Sequence, residues 1–152
     1  MTLQLEINEQ IKQAMIAKDQ PRVDVLRQVK NAITNAALAS GNASNALTDN
    51  EVIGIIRKQI KQREDSIEQF TKGNRPELVE KEHTEIFILK QYLPAKLSQE
   101  ELNNLIQLAI TETQSFTKKD MGRAIKRAVE IAEGRIDNKS ISQEIAKYLN
   151  ET

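Results

Sequence analysis

The stretch TDNEVIGIIRKQIKQREDSIEQF, Thr48 to Phe70, decides the fold class. Its run Val52-Ile53-Gly54-Ile55-Ile56, taken alone, reads as a short buried strand. The apolar positions continue at Ile60, Ile67 and Phe70, a helical rather than a two-residue period. Lys, Gln, Glu and Arg fill the intervals, and these are strong helix formers. Thr48 with Glu51 three residues on has the spacing of a capping box, which satisfies orphan amides at a helix start. The segment therefore predicts one long helix, closing at Gly73.

The same period extends outward in both directions. Upstream, Leu3, Ile7, Ile11, Ala14 and Met15 stripe a first helix, broken at Asp19-Gln20-Pro21. Pro21 suits the opening of a second helix, striped by Leu26, Val29, Ile33 and Ala37 and stopped at Ser40-Gly41. The polar stretch Gly41 to Leu47 predicts a loop. Downstream, Leu78, Val79, Glu82, Ile86, Leu89 and Leu93 belong to a fourth helix, which Pro94 ends.

Ser98 with Glu101 opens a fresh capping box, so the domain boundary is expected at Pro94-Ala95-Lys96-Leu97. Leu102, Leu105, Ile106, Ala109 and Ile110 stripe the next helix. Thr117 with Asp120 predicts a cap for a helix that Gly134 closes, and Asp137 or Asn138 starts a last one through Ile141, Ile145 and Leu149. The expectation is an all-α chain: an N-terminal bundle of about four longer helices over 1–94, a hinge, and a small C-terminal three-helix domain over 95–152.

Composition excludes much chemistry. The 152 residues hold 22 Lys plus Arg, 22 Asp plus Glu, one histidine and no cysteine. Cysteine nucleophiles, thiolate metal sites and multi-histidine metal sites are thereby ruled out. The closest two of the five glycines lie twelve positions apart, so no dinucleotide-binding fingerprint or phosphate loop can be written. Neither a catalytic residue, a metal nor a cofactor is expected.

Glu6 and Glu9 stand where a secretory leader needs a basic start and an apolar core. The uncharged stretch from Asn31 to Ala39 continues into Asn, Ser and Thr, unlike a membrane span. A cytoplasmic protein is expected. His83 has only Glu82 and Glu85 for neighbours and reads as a solvated or core-edge histidine. Lys58, Lys61, Arg63 and Lys72 alternate with acids on the third helix and read as a solvated face.

The sixth helix differs. At 100° per residue from Lys119, Arg123 falls at about 40°, Lys126 at about 340° and Arg127 at about 80°. Met121, Ile125, Ala128 and Ala132 take the opposite side. With Lys118, Arg135 and Lys139, the segment 118–139 carries seven basic residues against four acidic ones. Such a stripe is either a phosphate-binding face or an ordinary solvated one. No aromatic interleaves it, so base stacking is not expected. Gly122 allows close helix packing or close approach of a ligand.

The chain resembles the YqeY-type family. The resemblance rests on LRQVKNAI (Leu26 to Ile33), KQREDSIEQF (Lys61 to Phe70), GNRPELVEKE (Gly73 to Glu82) and YLPAKLS (Tyr92 to Ser98). It continues in KKDMGR (Lys118 to Arg123) and GRIDNKSIS (Gly134 to Ser142). The family's C-terminal half is homologous to the tail of the B subunit of the tRNA-dependent amidotransferase, which grips tRNA. The resemblance implies a non-catalytic tRNA-binding accessory protein, with tRNA as partner and no membrane.

Lys118, Lys119, Arg123, Lys126, Arg127, Arg135 and Lys139 would supply that contact. Amidotransferase subunits or an aminoacyl-tRNA synthetase are the protein partners implied. A role in glutamine-dependent amide transfer, the carbon-nitrogen ligase label that passes through the homology, is the alternative. A helical protein-interaction module is a third. The family's Gly-Arg-Ala-Asp-Gly loop is Gly134-Arg135-Ile136-Asp137-Asn138 here, where Asn138 is expected to keep the turn by tolerating a left-handed backbone.

Overall fold

The computed structural model describes residues 2–41 and 46–149. Seven α-helices account for most of them: α1 (Leu3–Ile16), α2 (Gln20–Ala39), α3 (Asp49–Lys72), α4 (Pro76–Lys90), α5 (Gln99–Thr113), α6 (Met121–Ala132) and α7 (Asn138–Tyr148). A 3₁₀ turn, Lys118–Asp120, leads into α6. No β-strand occurs among the described residues. The expected loop over 41–47 falls partly on residues 42–45, which lie outside the described ones.

The helix ends follow the local chemistry of the sequence. Thr48 caps α3 and Ser98 caps α5, each with the reciprocal glutamate bond of a full capping box. Asp19 accepts from the Arg22 amide at the start of α2, with Pro21 in the first turn. Gly41 leaves α2 at φ +72°, a conformation glycine takes without steric cost. Between α4 and α5, residues 91–98 are non-helical.

The chain divides into two compact units, Met1–Leu93 and Pro94–Thr152. In the first, α1 to α4 bury one core that includes Ile7, Ile11, Leu26, Val29, Ile33, Val52, Ile56, Ile86 and Leu89. Met15 is half exposed despite its place in the apolar stripe. The buried line on α1 is Ile7, Ile11 and Ala14, and one further residue turns 100° away from it.

The solvated-face reading of Arg63 is corrected by the structure. Arg63 is only 7% exposed. Its Nε donates to Glu85 Oε2 of α4 at 2.9 Å, Nη1 to the Gln59 carbonyl at 3.2 Å, and Nη2 to the Gln28 side-chain oxygen of α2. One guanidinium thus ties three helices together. Burial, then the nearby Glu85 carboxylate, holds the Glu82 carboxyl above its usual range. Lys58, Lys61 and Lys72 are exposed as expected.

In the second unit, α5, α6 and α7 bury Leu102, Leu105, Ile106, Ala109, Ile141 and Ile145 against Ala124, Ala128 and Ala132. Alanines at i, i+4 and i+8 form the buried seam of α6, while Met121 and Ile125 lie at its margin, partly buried. Small side chains let the flanking helices pack close to the α6 backbone.

Candidate nucleic-acid interface

The 3₁₀ turn and α6 carry five of the seven basic positions. Thr117 begins the turn and Asp120 answers it. The Asp120 Oδ2 accepts from the amides of Phe116 at 3.0 Å and Thr117 at 3.3 Å. These bonds, the Phe116 amide first, hold the Asp120 carboxyl below its ordinary value, and Arg123 adds to the effect. The cap expected at Thr117 is therefore present, but its first turn winds as 3₁₀ and α6 proper starts at Met121.

With the alanine seam inward, Lys119, Arg123 and Lys126 face solvent and Arg127 is partly covered. The structure separates the lysines from the arginines. Lys119, Lys126 and Lys139 are exposed and make no ion pair among the described residues. Lys118 is exposed at the start of the turn. Each arginine is engaged by neighbours.

Arg123 Nη2 lies 2.9 Å from Asp120 Oδ1 and donates to the Gln114 carbonyl at 3.3 Å. Arg127 reaches Glu112 of α5 through Nε and Glu130 through Nη1 at 3.0 Å. The bond to Glu112 leads in pushing its pKa further up. Arg135 bridges Glu101 at 3.2 Å and donates to the Ala95 carbonyl at 3.0 Å, fastening the α6–α7 loop to the segment before α5. The pairs of Arg127 with Glu112 and Glu130 are solvent-exposed and weak, and can yield to a phosphate at small cost.

The structure corrects the reading of Asn138 and narrows that of Gly122. Asn138 does not carry a left-handed turn: Glu133 (φ 49°) and Gly134 (φ 80°) do, and Asn138 is the first residue of α7, capped by Asp137. Gly122 is exposed, and a Cβ built on it meets nothing within 4 Å. It is not there for close helix packing.

Phe116 lay outside the sequence reading of this face because it precedes the basic stripe. It is 68% exposed, directly before the turn. In the first unit, His83 is exposed and lines a cleft of about 370 Å³ with Phe70, Val79 and Pro76. Among the described residues no group of three His, Asp or Glu side chains is disposed to hold a metal. No described helix is long and apolar enough to cross a membrane.

The profile of the family described as Yqey-like protein matches residues 4–149. The chain belongs to the YqeY-like family. Its relatives include a Pyrenophora tritici-repentis protein called altered inheritance of mitochondria protein 41, mitochondrial. The two are 30% identical over 91% of this chain and 76% of that protein. The Saccharomyces cerevisiae protein of the same name is 32% identical over 88% of this chain and 70% of its own length. The Lachancea thermotolerans one is 39% identical over 57% of this chain, and the match spans less than half of that protein, 46%.

These relatives correct the expected compartment. Their names are those of mitochondrial proteins, so membership of the family does not imply the cytoplasm.

Proposed function

We propose that this YqeY-like chain is a non-catalytic tRNA-binding accessory protein whose second unit makes the contact. The observation that carries the reading is the pair Lys119 and Lys126. Lys119 projects from the 3₁₀ turn and Lys126 from the solvent side of the alanine-backed α6, and among the described residues no carboxylate pairs with either. Two exposed, unpaired cations seven residues apart suit a phosphate backbone, where the release of condensed counterions drives association. Lys118 and Lys139 extend the positive field, and Arg127 joins by exchanging exposed carboxylates for phosphate.

The likeness of KKDMGR and GRIDNKSIS to the amidotransferase B-subunit tail supports the same partner. Arg135 serves the loop more than the RNA, because its Nε and Nη2 are engaged within the unit by the Ala95 carbonyl and Glu101.

The experiment is recovery of RNA and protein with the native chain from its own cells, beside a Lys119→Ala/Lys126→Ala variant. Enrichment of tRNA with the native chain, and its loss with the variant, is the expected result. Amidotransferase subunits recovered without RNA would favour the amide-transfer reading. Other proteins recovered without RNA would favour an interaction module.

A further inference from the structure

We propose that Phe116 is a stacking platform for an unpaired nucleobase of the RNA held by the neighbouring lysines, an inference that rests on the RNA-binding function above. An exposed phenylalanine by itself is ordinary. Phe87, 65% exposed on α4, shows as much. What sets Phe116 apart is how it is held and what stands beside it.

The backbone on both sides of Phe116 is anchored. Gln114 turns the chain at φ 52°. Ser115 is buried, its amide donates to the Ile110 carbonyl at 3.0 Å, and its hydroxyl meets Thr113 Oγ1 at 2.7 Å. The next residue then points outward on an amide gripped by Asp120 Oδ2. Asp120 is itself held by Arg123, which also donates to the Gln114 carbonyl. The ring is thus free at its faces while its Cα has little freedom, so ordering it against a base costs little entropy.

Lys119 follows three residues later, within about 11 Å of chain. A base on the ring therefore has its phosphates in the range of Lys119. Aromatic faces beside cations are the common means of holding single-stranded nucleic acid without reading its sequence. Arg123 and Asp120 act here as positioning residues, which explains why the one arginine central to the basic stripe is spent on the loop.

The chain has no tryptophan, so Phe116→Trp introduces a sole reporter at the site. Unfractionated tRNA should quench its emission, whereas a fully paired RNA duplex of equal length should bind through the lysines with little quenching. Phe116→Ala should weaken tRNA binding by about 5- to 150-fold, the range for one lost stacked base. The log–log salt slope should stay unchanged, because no charge is removed. Far-UV circular dichroism checks that the exposed substitution leaves the helices intact.

Lys119→Ala should do the opposite and lower the slope. If the wild-type chain binds tRNA with a salt-dependent affinity but Phe116→Ala binds equally well, the stacking inference is overturned and the function stands. A wild-type chain that binds no tRNA overturns both. Equal quenching by duplex and tRNA would also overturn the inference, since the ring would then report proximity rather than stacking.

Discussion

Replacing Arg63 by alanine should destabilise the first unit far more than any other single charge removal on α3. The side chains of Arg63 and Glu85 are 9% and 13% exposed, and their ion pair is 2.9 Å long. Truncation strands the Glu85 carboxylate in a largely dewatered setting and also takes a donor from the side-chain oxygen of the exposed Gln28. Removing one partner of such a pair costs about 3–5 kcal/mol, mostly from the charge left behind. The exposed pair Lys72–Glu68, with side chains about two-thirds exposed, sets the contrast: Lys72→Ala should cost under about 1 kcal/mol.

Tyr92 and Tyr148 are the only tyrosines, so urea unfolding in a Tyr148→Phe background reports Tyr92 in the first unit alone. The double variant Arg63→Met/Glu85→Met should recover most of the loss, because apolar volume replaces both charges. An Arg63→Ala variant within about 1 kcal/mol of its parent, at unchanged m value, would refute the buried tie between α2, α3 and α4.

Further outcomes follow from the same geometry. Gly54 lies in α3 with open space where a Cβ would sit, so Gly54→Ala should stabilise the first unit by about 1 kcal/mol, raising its Tm by about 4–8 °C. Glu82 is held above its usual range, so the folded state binds its proton more tightly than the unfolded one and gains stability as pH falls through that window; Glu82→Gln should be slightly stabilising at neutral pH and lose that advantage in acid. Asp120 is held below its ordinary value, so its contribution is present above the usual range near 3.9 and fades only as pH falls through its lower folded value. The amide shifts of Phe116 and Thr117 should follow that lower midpoint in an NMR titration, and a midpoint at or above about 3.9 would contradict it. Purified chain with ATP, glutamine and mischarged tRNA should form no amide product, and His83→Ala should leave tRNA binding unchanged.

The helices were legible because their signals are local. Thr48 with Glu51 and Ser98 with Glu101 cap within four residues, and Pro21 and Gly41 punctuate within two. The apolar period of α3 outweighed the strand-like run at Val52–Ile56 because Ile60, Ile67 and Phe70 keep the period. Arg63 was not legible, since its burial depends on Glu85 and Gln28, 22 and 35 positions away. The same distance problem hid the partners of Arg127 and Arg135. Glu112 and Glu101 sit on α5, so a helical wheel of α6 alone overstates its free positive charge. Asn138 was misassigned for the opposite reason: a permissive residue type does not identify which position of a loop bends.

The central claim is that Lys119 and Lys126 hold phosphates, and the dependence of tRNA affinity on salt tests it most directly. Observed association constants for the wild-type chain and the Lys119→Ala/Lys126→Ala variant, measured between about 50 and 200 mM salt, each give a log–log slope. Two lost contacts should flatten the slope by about 1.4 to 1.8 and weaken binding across all tRNA species alike. Arg127→Ala should change it less, because Glu112 and Glu130 already offset that charge. A folded double variant with an unchanged slope would contradict the account and leave α6 an ordinary solvated helix.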